Sequence, residues 1–560
     1  MTDRSLAHPI WGRPLEEYAL SYDLSASYKR KAITRKVEAE AVDAIKRISN
    51  LTGAVDYATQ DGEKVNIQTL ELILQLTLSP RTFHHFAHPP LPFSYEFGYL
   101  SFKILTVAIG ACILRCSNNL DNTTSRMFLE HDTGPLLIFS DSVSQAVNVG
   151  IRNAALGGQF SRALDWVEGI GSQREPGPVV LQSDVHAILS LLWDDRELFV
   201  TAFAATYTPG PSGILFLLWQ HLHFERVFDS QPPSRLAAPF CEILWRYMLV
   251  FTRDQGDTLI LLQKHLQASG ATDVWDAGPK TVTLSDLKNL IQIYCDRLPM
   301  SYLDLMPALN IGILPIMLNF LCHLAEAQPG AEGSYPLLVE RTLERVCDTL
   351  TLETERDDFE ARFGYAQTIF SYLAVLFEHM QNAQTYSRGQ AGQRAVLGVL
   401  KALKQLGILD LIGKMFLMFK PALDGRVGHK VLSAFLMRVV STIVRKISTI
   451  APRHIIDPTF GYYALEWVKF HDHLIYLTHM GSTTPDPQIA HWKSCSYLWR
   501  EIAETLGMSG QIGIILSSPI CCSYARCPNP KTSAYCQVRD WEHDRKIESH
   551  RQACKLSIEL

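Results

Sequence analysis

A helical spacing of apolar residues runs through most of this chain of 560 residues. From residue 34 to about residue 505, apolar side chains recur three and four positions apart, which is the period of one face of an α-helix. Clear examples lie at 394–419, 429–448 and 489–507. Strand-like alternation of apolar and polar residues is rare in the same region. The spacing therefore predicts a mainly α fold for residues 1–515.

The length of this helical region limits its architecture. Helices joined by clusters of proline and glycine, such as TPGPSG (208–213) and QPGAEG (328–333), fill about 470 residues. This is more than one core usually covers, so we expect stacked helical pairs in an irregular, armadillo-like α-solenoid. Since the sequence has no repeat of fixed period, an irregular multi-helix body is the alternative. The stretch GILFLLWQHLHF (213–224) is apolar almost all round, which predicts a helix covered on more than one side.

Composition and charge exclude several classes of protein. Apolar residues make up 47% of the chain and charged residues 19%, a composition unlike that of disordered proteins. The net charge of -5 gives no overall basic field for nucleic acid. The most apolar stretch, residues 305–324, contains Asn310, Pro315 and Asn319, which are costly in a bilayer. We therefore predict a buried core helix there and expect no membrane partner.

The amino-terminal sequence MTDRSLAHPIWGRPLEEYAL does not have the basic and then apolar pattern of a secretory signal. We therefore expect a reducing compartment, cytoplasmic or nuclear, in which the twelve cysteines are thiols or metal ligands. The basic cluster at residues 29–36 is interpreted as a solvated helix face, with a nuclear import signal as the alternative.

Motifs of the common enzyme classes are missing from the sequence. Phosphate-loop, dinucleotide, nucleophile-elbow and zinc-protease patterns have no match. Two histidine groups are present: His84, His85 and His88 in one, and His221 and His223 in the other. The first has no cysteine or acidic partner at ligand spacing, and the two members of the second face different sides of a helix. We interpret both groups as hydrogen-bonded or exposed histidines.

Cysteine usage changes near residue 520. Five of the twelve cysteines lie between Cys521 and Cys554. His550 and Cys554 are four residues apart, so on a helix both side chains lie on one face and can converge on one tetrahedral ion. Residues 520–555 contain few large apolar side chains, and a bound metal would supply the stability that they lack. The pattern predicts a small zinc-binding domain, with a disordered polar tail as the alternative.

Three short patterns in this segment resemble the closing part of a MYND-type zinc finger. They are YC at 535–536, CQ..DW at 536–541 and H...C at 550–554. A complete finger of this family has four ligand pairs, whereas here the second pair is absent and the third is reduced to Cys536. Two full zinc sites therefore cannot be built, and either the finger is degenerate or the coding sequence lacks a segment. The resemblance implies zinc as cofactor, held by Cys522 or Cys521, Cys527, Cys536, and His550 or Cys554.

The resemblance also implies a function. MYND-type fingers dock short proline-containing peptides of partner proteins. The asparagine-histidine-serine-cysteine motif of the methyltransferases that carry such fingers has no match in this chain. We therefore expect a non-enzymatic, zinc-binding adaptor in which a helical scaffold and a finger both bind protein or peptide partners.

Other functions stay open as alternatives. An enzyme whose site is assembled from scattered residues of the helical body would show a deep pocket with converging acidic and histidine side chains, whereas an adaptor would show a long open groove. Nucleic acid is disfavoured as a partner, because residues 521–554 contain six Lys or Arg against four Asp or Glu and few aromatic residues. A relic finger that no longer binds metal is a further alternative.

Overall fold

The computed structural model of the chain describes residues 12–21, 92–129, 135–155, 182–229, 236–299, 306–328, 330–351, 359–386, 390–419, 427–479 and 487–517. These residues form α-helices and three short 3-10 turns, and none of them belongs to a β-strand. Pro14 and Tyr95 form an isolated antiparallel bridge. The predicted helical body is confirmed for this part of the chain.

The chain divides into two units. The first unit comprises residues 1–281 and 292–317, and the second comprises residues 282–291 and 318–560. The helices of the first unit are α1 Leu15–Ser21, α2 Glu96–Cys116, α3 Leu120–Leu129, α4 Pro135–Ala155, α5 Gln182–Asp194, α6 Arg196–Ala205, α7 Pro211–Asp229, α8 Ala237–Met248, α9 Gly256–Ala268 and α10 Ala271–Ala277. Two helices have residues in both units: α11 Leu284–Asp296 and α12 Leu314–Ala327. The helices of the second unit are α13 Tyr335–Thr351, α14 Phe359–Tyr386, α15 Gln390–Gln405, α16 Ile408–Met418, α17 Val427–Thr449, α18 Arg453–Gly461, α19 Ala464–His479, α20 Pro487–Thr505 and α21 Ser509–Ser517.

The first unit is built around two central helices. Helix α4 packs against α2, α3, α7 and α9, and helix α8 packs against α5, α6, α9 and α10. Aromatic rings fill the interior in edge-to-face pairs: the ring centroids of Phe93 and Phe102 lie 5.1 Å apart, and those of Phe203 and Tyr247 lie 5.4 Å apart. Such pairs add about 0.5–1.5 kcal/mol each to the stability gained by burying their area.

Buried polar side chains hold a short turn of the first unit against its helices. Gln255, in the turn before α9, accepts hydrogen bonds from the Tyr247 hydroxyl (2.7 Å) and the Ser212 backbone N–H (3.2 Å). Its amide donates to the Ser140 hydroxyl at 3.3 Å, and Ser140 donates to Asp254. Burial raises the pKa of the Asp254 carboxyl. Because buried polar groups need partners, this network fixes the turn to α4, α7 and α8.

Helices of the second unit pack mainly on elements that are near them in the chain. Helix α13 packs against α14 and α15, α14 against α17, and α17 against α20. Helix α20 also packs against α19, which in turn packs against α21. The predicted helix at 429–448 is confirmed as part of α17, and that at 489–507 is confirmed up to Thr505, where α20 ends. In the first unit, 213–224 is confirmed as part of α7, in which Ile214 to Trp219 are all buried.

The apolar stretch at 305–324 is only partly the core helix that the sequence predicted. Helix α12 begins at Leu314, and residues 306–313 before it are not helical. The Asn310 side-chain oxygen accepts hydrogen bonds from the backbone N–H groups of Gly312 (2.9 Å) and Ile313 (3.0 Å), which holds the chain out of a helix. Pro315 then lies in the first turn of α12, where its missing N–H costs nothing. None of the helices in the described part of the chain has the length and apolarity needed to cross a membrane.

A glycine divides the apolar stretch at 394–419 into two helices. Gly407 has a φ of +63°, and it separates α15 from α16. Its N–H donates to the carbonyl of Lys404 at 3.2 Å, as is common where a left-handed residue ends a helix. A side chain at this position would be strained, so Gly407 determines where the two helices separate.

Candidate functional site

The predicted zinc ligands lie outside the described residues. This holds for the whole segment 520–555, with the ligand candidates Cys521, Cys522, Cys527, Cys536, His550 and Cys554. The basic cluster at 29–36 and the histidine group His84, His85 and His88 also lie outside them. Within the described ranges, no three His, Cys, Asp or Glu side chains are grouped so that they could hold a metal ion. The zinc site therefore stays a prediction.

The second histidine group of the sequence lies in helix α7, where its two members make different contacts. The Nε2 atom of His221 is 3.0 Å from that of His186 on α5, a hydrogen bond in which one ring donates to the other. The ring of His223 stacks on Trp219 with the centroids 5.0 Å apart. The sequence predicted hydrogen-bonded or exposed histidines, and His221 is hydrogen-bonded, whereas His223 is half-buried and stacked on a ring.

A buried cysteine and histidine pair in helix α20 was missed by the sequence analysis. His491 and Cys495 are four residues apart, and the Cys495 sulfur lies 3.4 Å from His491 Nε2. The Nε2 atom also lies 3.2 Å from the Phe416 carbonyl oxygen, and Nδ1 lies 2.9 Å from the Ser433 hydroxyl. Since a carbonyl oxygen only accepts, Nε2 carries the proton, and Nδ1 accepts from Ser433. The i, i+4 spacing was the signal that could have revealed the pair.

The chemistry of this pair is structural. Burial raises the pKa of the Cys495 thiol well above its ordinary value, and burial also lowers the pKa of His491. Both groups are therefore neutral at physiological pH, whereas a nucleophilic cysteine needs a thiolate with a lowered pKa. His491 Nε2 already donates to a carbonyl and cannot take the thiol proton. The hydrogen bonds of His491 join α20 to the end of α16 and to α17.

This assignment gives a first testable prediction. At pH 8, iodoacetamide should modify Cys116, which is exposed, and should leave Cys322 and Cys495 unmodified in the native protein. Burial raises the pKa of Cys322 to about 12, and that of Cys495 is also raised. Peptide mass mapping with and without urea measures the difference at each cysteine. Fast modification of native Cys495 would contradict the structural role and point to a reactive thiol.

A surface groove lies between α17 and α20 in the described part of the chain. It is a cavity of about 560 Å³ that opens to solvent. Its walls are formed by Arg438 and Ser441 on α17 and by Lys493, Tyr497 and Glu501 on α20. The two helices run in the same direction, because residue 433 contacts residue 491 and residue 441 contacts residue 501. The groove is open to solvent along one side, unlike an enclosed pocket.

The side chains of the groove combine charge with an exposed aromatic ring. Tyr497 is 68% exposed although its neighbours Ser496 and Leu498 are buried. Arg438 lies with its guanidinium carbon 5.1 Å from the centre of the Phe435 ring and is also exposed. Ser441 donates a hydrogen bond to Glu501 at 3.2 Å, which fixes the one carboxylate of the groove. A large exposed aromatic residue beside such cations is typical of a binding surface.

No family model, no curated protein and no solved structure matches this chain.

Proposed function

We propose that this protein is a non-enzymatic interaction adaptor, in which the helical body binds partner proteins and the segment 520–555 is a reduced, MYND-like zinc finger that docks peptides. The observation that carries the proposal is the open groove between α17 and α20. An extended partner can lie along such a groove. An enzyme would instead need an enclosed site in which water is excluded and reacting groups converge.

The chemistry of the groove supports the same proposal. Tyr497 offers a large contact area with few rotatable bonds, which lowers the entropy cost of binding, and tyrosine and arginine dominate the energetics of protein interfaces. Asp254 and His491, described above, are hydrogen-bonded to residues of neighbouring helices. These hydrogen bonds hold helices together.

The packing order of the second unit supports the finer architecture that we propose, an irregular armadillo-like α-solenoid. Helix α14 packs on α17, and α17 packs on α20, so that every third helix stacks on the one before it, and solenoids use such rows as extended binding surfaces. In this arrangement the groove is one segment of a longer surface.

The zinc part of the proposal is tested by metal analysis of the purified full-length protein. We expect one zinc per chain, and no zinc in a chain that ends at Ser517 or in the variant Cys527→Ser Cys536→Ser. Cys116→Ser is the matched control, because Cys116 is an exposed cysteine of α2 and its loss should leave the zinc in place. Zinc that persists in the truncated chain, or a full-length chain without zinc, would contradict the proposal and favour a relic finger.

The adaptor part is tested on the same proteins by crosslinking in extracts of the native cells, followed by quantitative mass spectrometry. Tyr497→Ala should lose a set of protein partners, and Cys527→Ser Cys536→Ser should lose a different set. If the two variants and the wild-type protein recover the same partners in equal amounts, neither surface binds partners and the proposed function is wrong.

A further inference from the structure

We infer that the groove between α17 and α20 binds an acidic segment of a partner protein, in which carboxylate side chains alternate with apolar ones. This inference rests on the proposed adaptor function and deepens it, because it assigns the chemistry of the partner at this groove.

The two cations of the groove favour carboxylates, and Lys493 lies at one end of the α20 wall. Arg438 projects from α17 and Lys493 from α20, so that each wall carries one exposed cation. Neither cation forms an ion pair with another residue that the structure describes. Lys446, about two turns after Arg438 on α17, instead pairs with Glu378 at 3.1 Å. The planar guanidinium of Arg438 can donate two parallel hydrogen bonds to a carboxylate, and Lys493 can add a third donor.

The other end of the groove fixes the direction in which a partner can lie. Glu501 is two helical turns beyond Lys493 on the same face of α20, and Ser441 holds its carboxylate in place. An acidic side chain is repelled at Glu501 and attracted at Lys493, two helical turns away. The electrostatic pattern therefore selects acidic partners at one end and discriminates against an acidic residue at the other.

The space between the two charged ends is suited to an apolar side chain. Tyr497 lies between Lys493 and Glu501, one helical turn from each, and Met437 and Leu498 also line the cavity. The open side leaves much of any small molecule in water, whereas small-molecule sites usually bury most of their ligand. A peptide can instead cover the groove, with an acidic side chain near Lys493 and Arg438 and an apolar side chain against Tyr497.

Fluorescence anisotropy with the full-length protein tests the inference. The probe is a fluorescein-labelled peptide in which glutamates are interspersed with single leucines, and the matched peptide has glutamine in place of each glutamate. We expect the glutamate peptide to bind at least tenfold more tightly at low salt, and we expect its affinity to fall as salt rises.

Variants of the two cations locate the binding. Arg438→Ala Lys493→Ala should lower the affinity for the glutamate peptide about tenfold, and Tyr497→Ala should lower it several-fold. Lys401→Ala, which removes an exposed cation of α15, is the matched control and should change nothing. In Arg438→Glu Lys493→Glu the preference should reverse towards a peptide with lysine in place of glutamate. All these positions are exposed, so melting temperatures should be unchanged.

Two outcomes would overturn the inference. One is equal affinity for the glutamate and glutamine peptides, and the other is a double variant that binds the glutamate peptide as the wild type does. If in either case Tyr497→Ala still loses protein partners in crosslinking, the acidic specificity is wrong while the adaptor function stands. If the crosslinked partners are also unchanged, the proposed function fails together with the inference.

Discussion

Replacing Glu242 by alanine is expected to destabilise the first unit by about 3–5 kcal/mol. Glu242 lies in α8 and is only 1% exposed. Its Oε1 atom is 3.0 Å from Nε of the fully buried Arg246 and 3.2 Å from Nε of Arg196 on α6. Its Oε2 atom accepts a hydrogen bond of 3.2 Å from the indole N–H of Trp275 on α10. The substitution removes the negative charge at the junction of three helices.

The cost is large because the positive charges stay behind. Removing one member of a buried ion pair leaves a charge in a medium of low polarity, and this penalty exceeds the net benefit that the intact pair provides. The indole N–H of Trp275 also loses its acceptor, and an unsatisfied buried donor costs about 1–3 kcal/mol. Glu242→Gln should lose less stability, since the amide oxygen can still accept from Trp275.

Urea unfolding measures this effect against an exposed ion pair of similar length. Arg341 and Glu344 lie 2.9 Å apart on the surface of α13, and Glu344→Ala should cost no more than about 1 kcal/mol. If Glu242→Ala lowers the free energy of unfolding no more than Glu344→Ala does, the buried cluster contributes little. The conclusion that the Glu242 cluster stabilises the packing of α6 and α10 on α8 would then be wrong.

The sequence predicted the helices better than it predicted what they bury. Apolar spacing identified α17 and α20, because an amphipathic helix carries its period within one segment. The same method missed the turn at Asn310, where the side-chain oxygen accepts hydrogen bonds from two backbone N–H groups. The pair Glu242 and Arg246 also has the i, i+4 spacing of an ordinary surface ion pair. Only the packing of α6 and α10 on this face of α8 makes it a buried cluster.

The candidate groove could not be predicted from the sequence at all. Its walls come from segments about sixty residues apart, and neither segment has a motif that identifies its neighbour in space. From the sequence alone, Arg438 and Lys493 are predicted to be ordinary solvated charges. Only the packing of α17 beside α20 brings them to one groove. The zinc site, by contrast, could be predicted from the sequence, because the spacing of metal ligands within one short segment does not depend on knowing the fold.

Helix α20 shows how one element carries both a binding surface and a core. Tyr497 points into the groove, whereas Trp499, two residues later, is 0% exposed. On the buried side, the indole N–H of Trp467 donates to the carbonyl of Trp499 at 2.9 Å, and the indole N–H of Trp499 donates to the carbonyl of Trp467 at 3.1 Å. These reciprocal bonds join α19 to α20. The orientation of the groove wall therefore depends on the tryptophan pair behind it.

Trp499→Ala is accordingly expected to destabilise the second unit by about 3–5 kcal/mol, through lost packing and the cavity left behind. The two indole rings lie nearly parallel with centroids 6.4 Å apart, and Phe470 contacts Trp499 edge-on at 4.7 Å. Trp499→Phe should cost less, about 1–3 kcal/mol, since it keeps a ring but leaves the Trp467 carbonyl without its donor.

The matched control lies on the same helix. Tyr497→Ala removes an aromatic ring of similar size from an exposed position, so its effect on the free energy of unfolding should stay within about 0.5 kcal/mol. Urea unfolding followed by near-ultraviolet circular dichroism measures all three variants, because this signal reports on aromatic side chains held in fixed packing. Equal losses for Trp499→Ala and Tyr497→Ala would contradict the assignment of the two faces. The contrast between them also separates binding from stability, because only Tyr497→Ala should weaken peptide binding in a chain that remains fully folded.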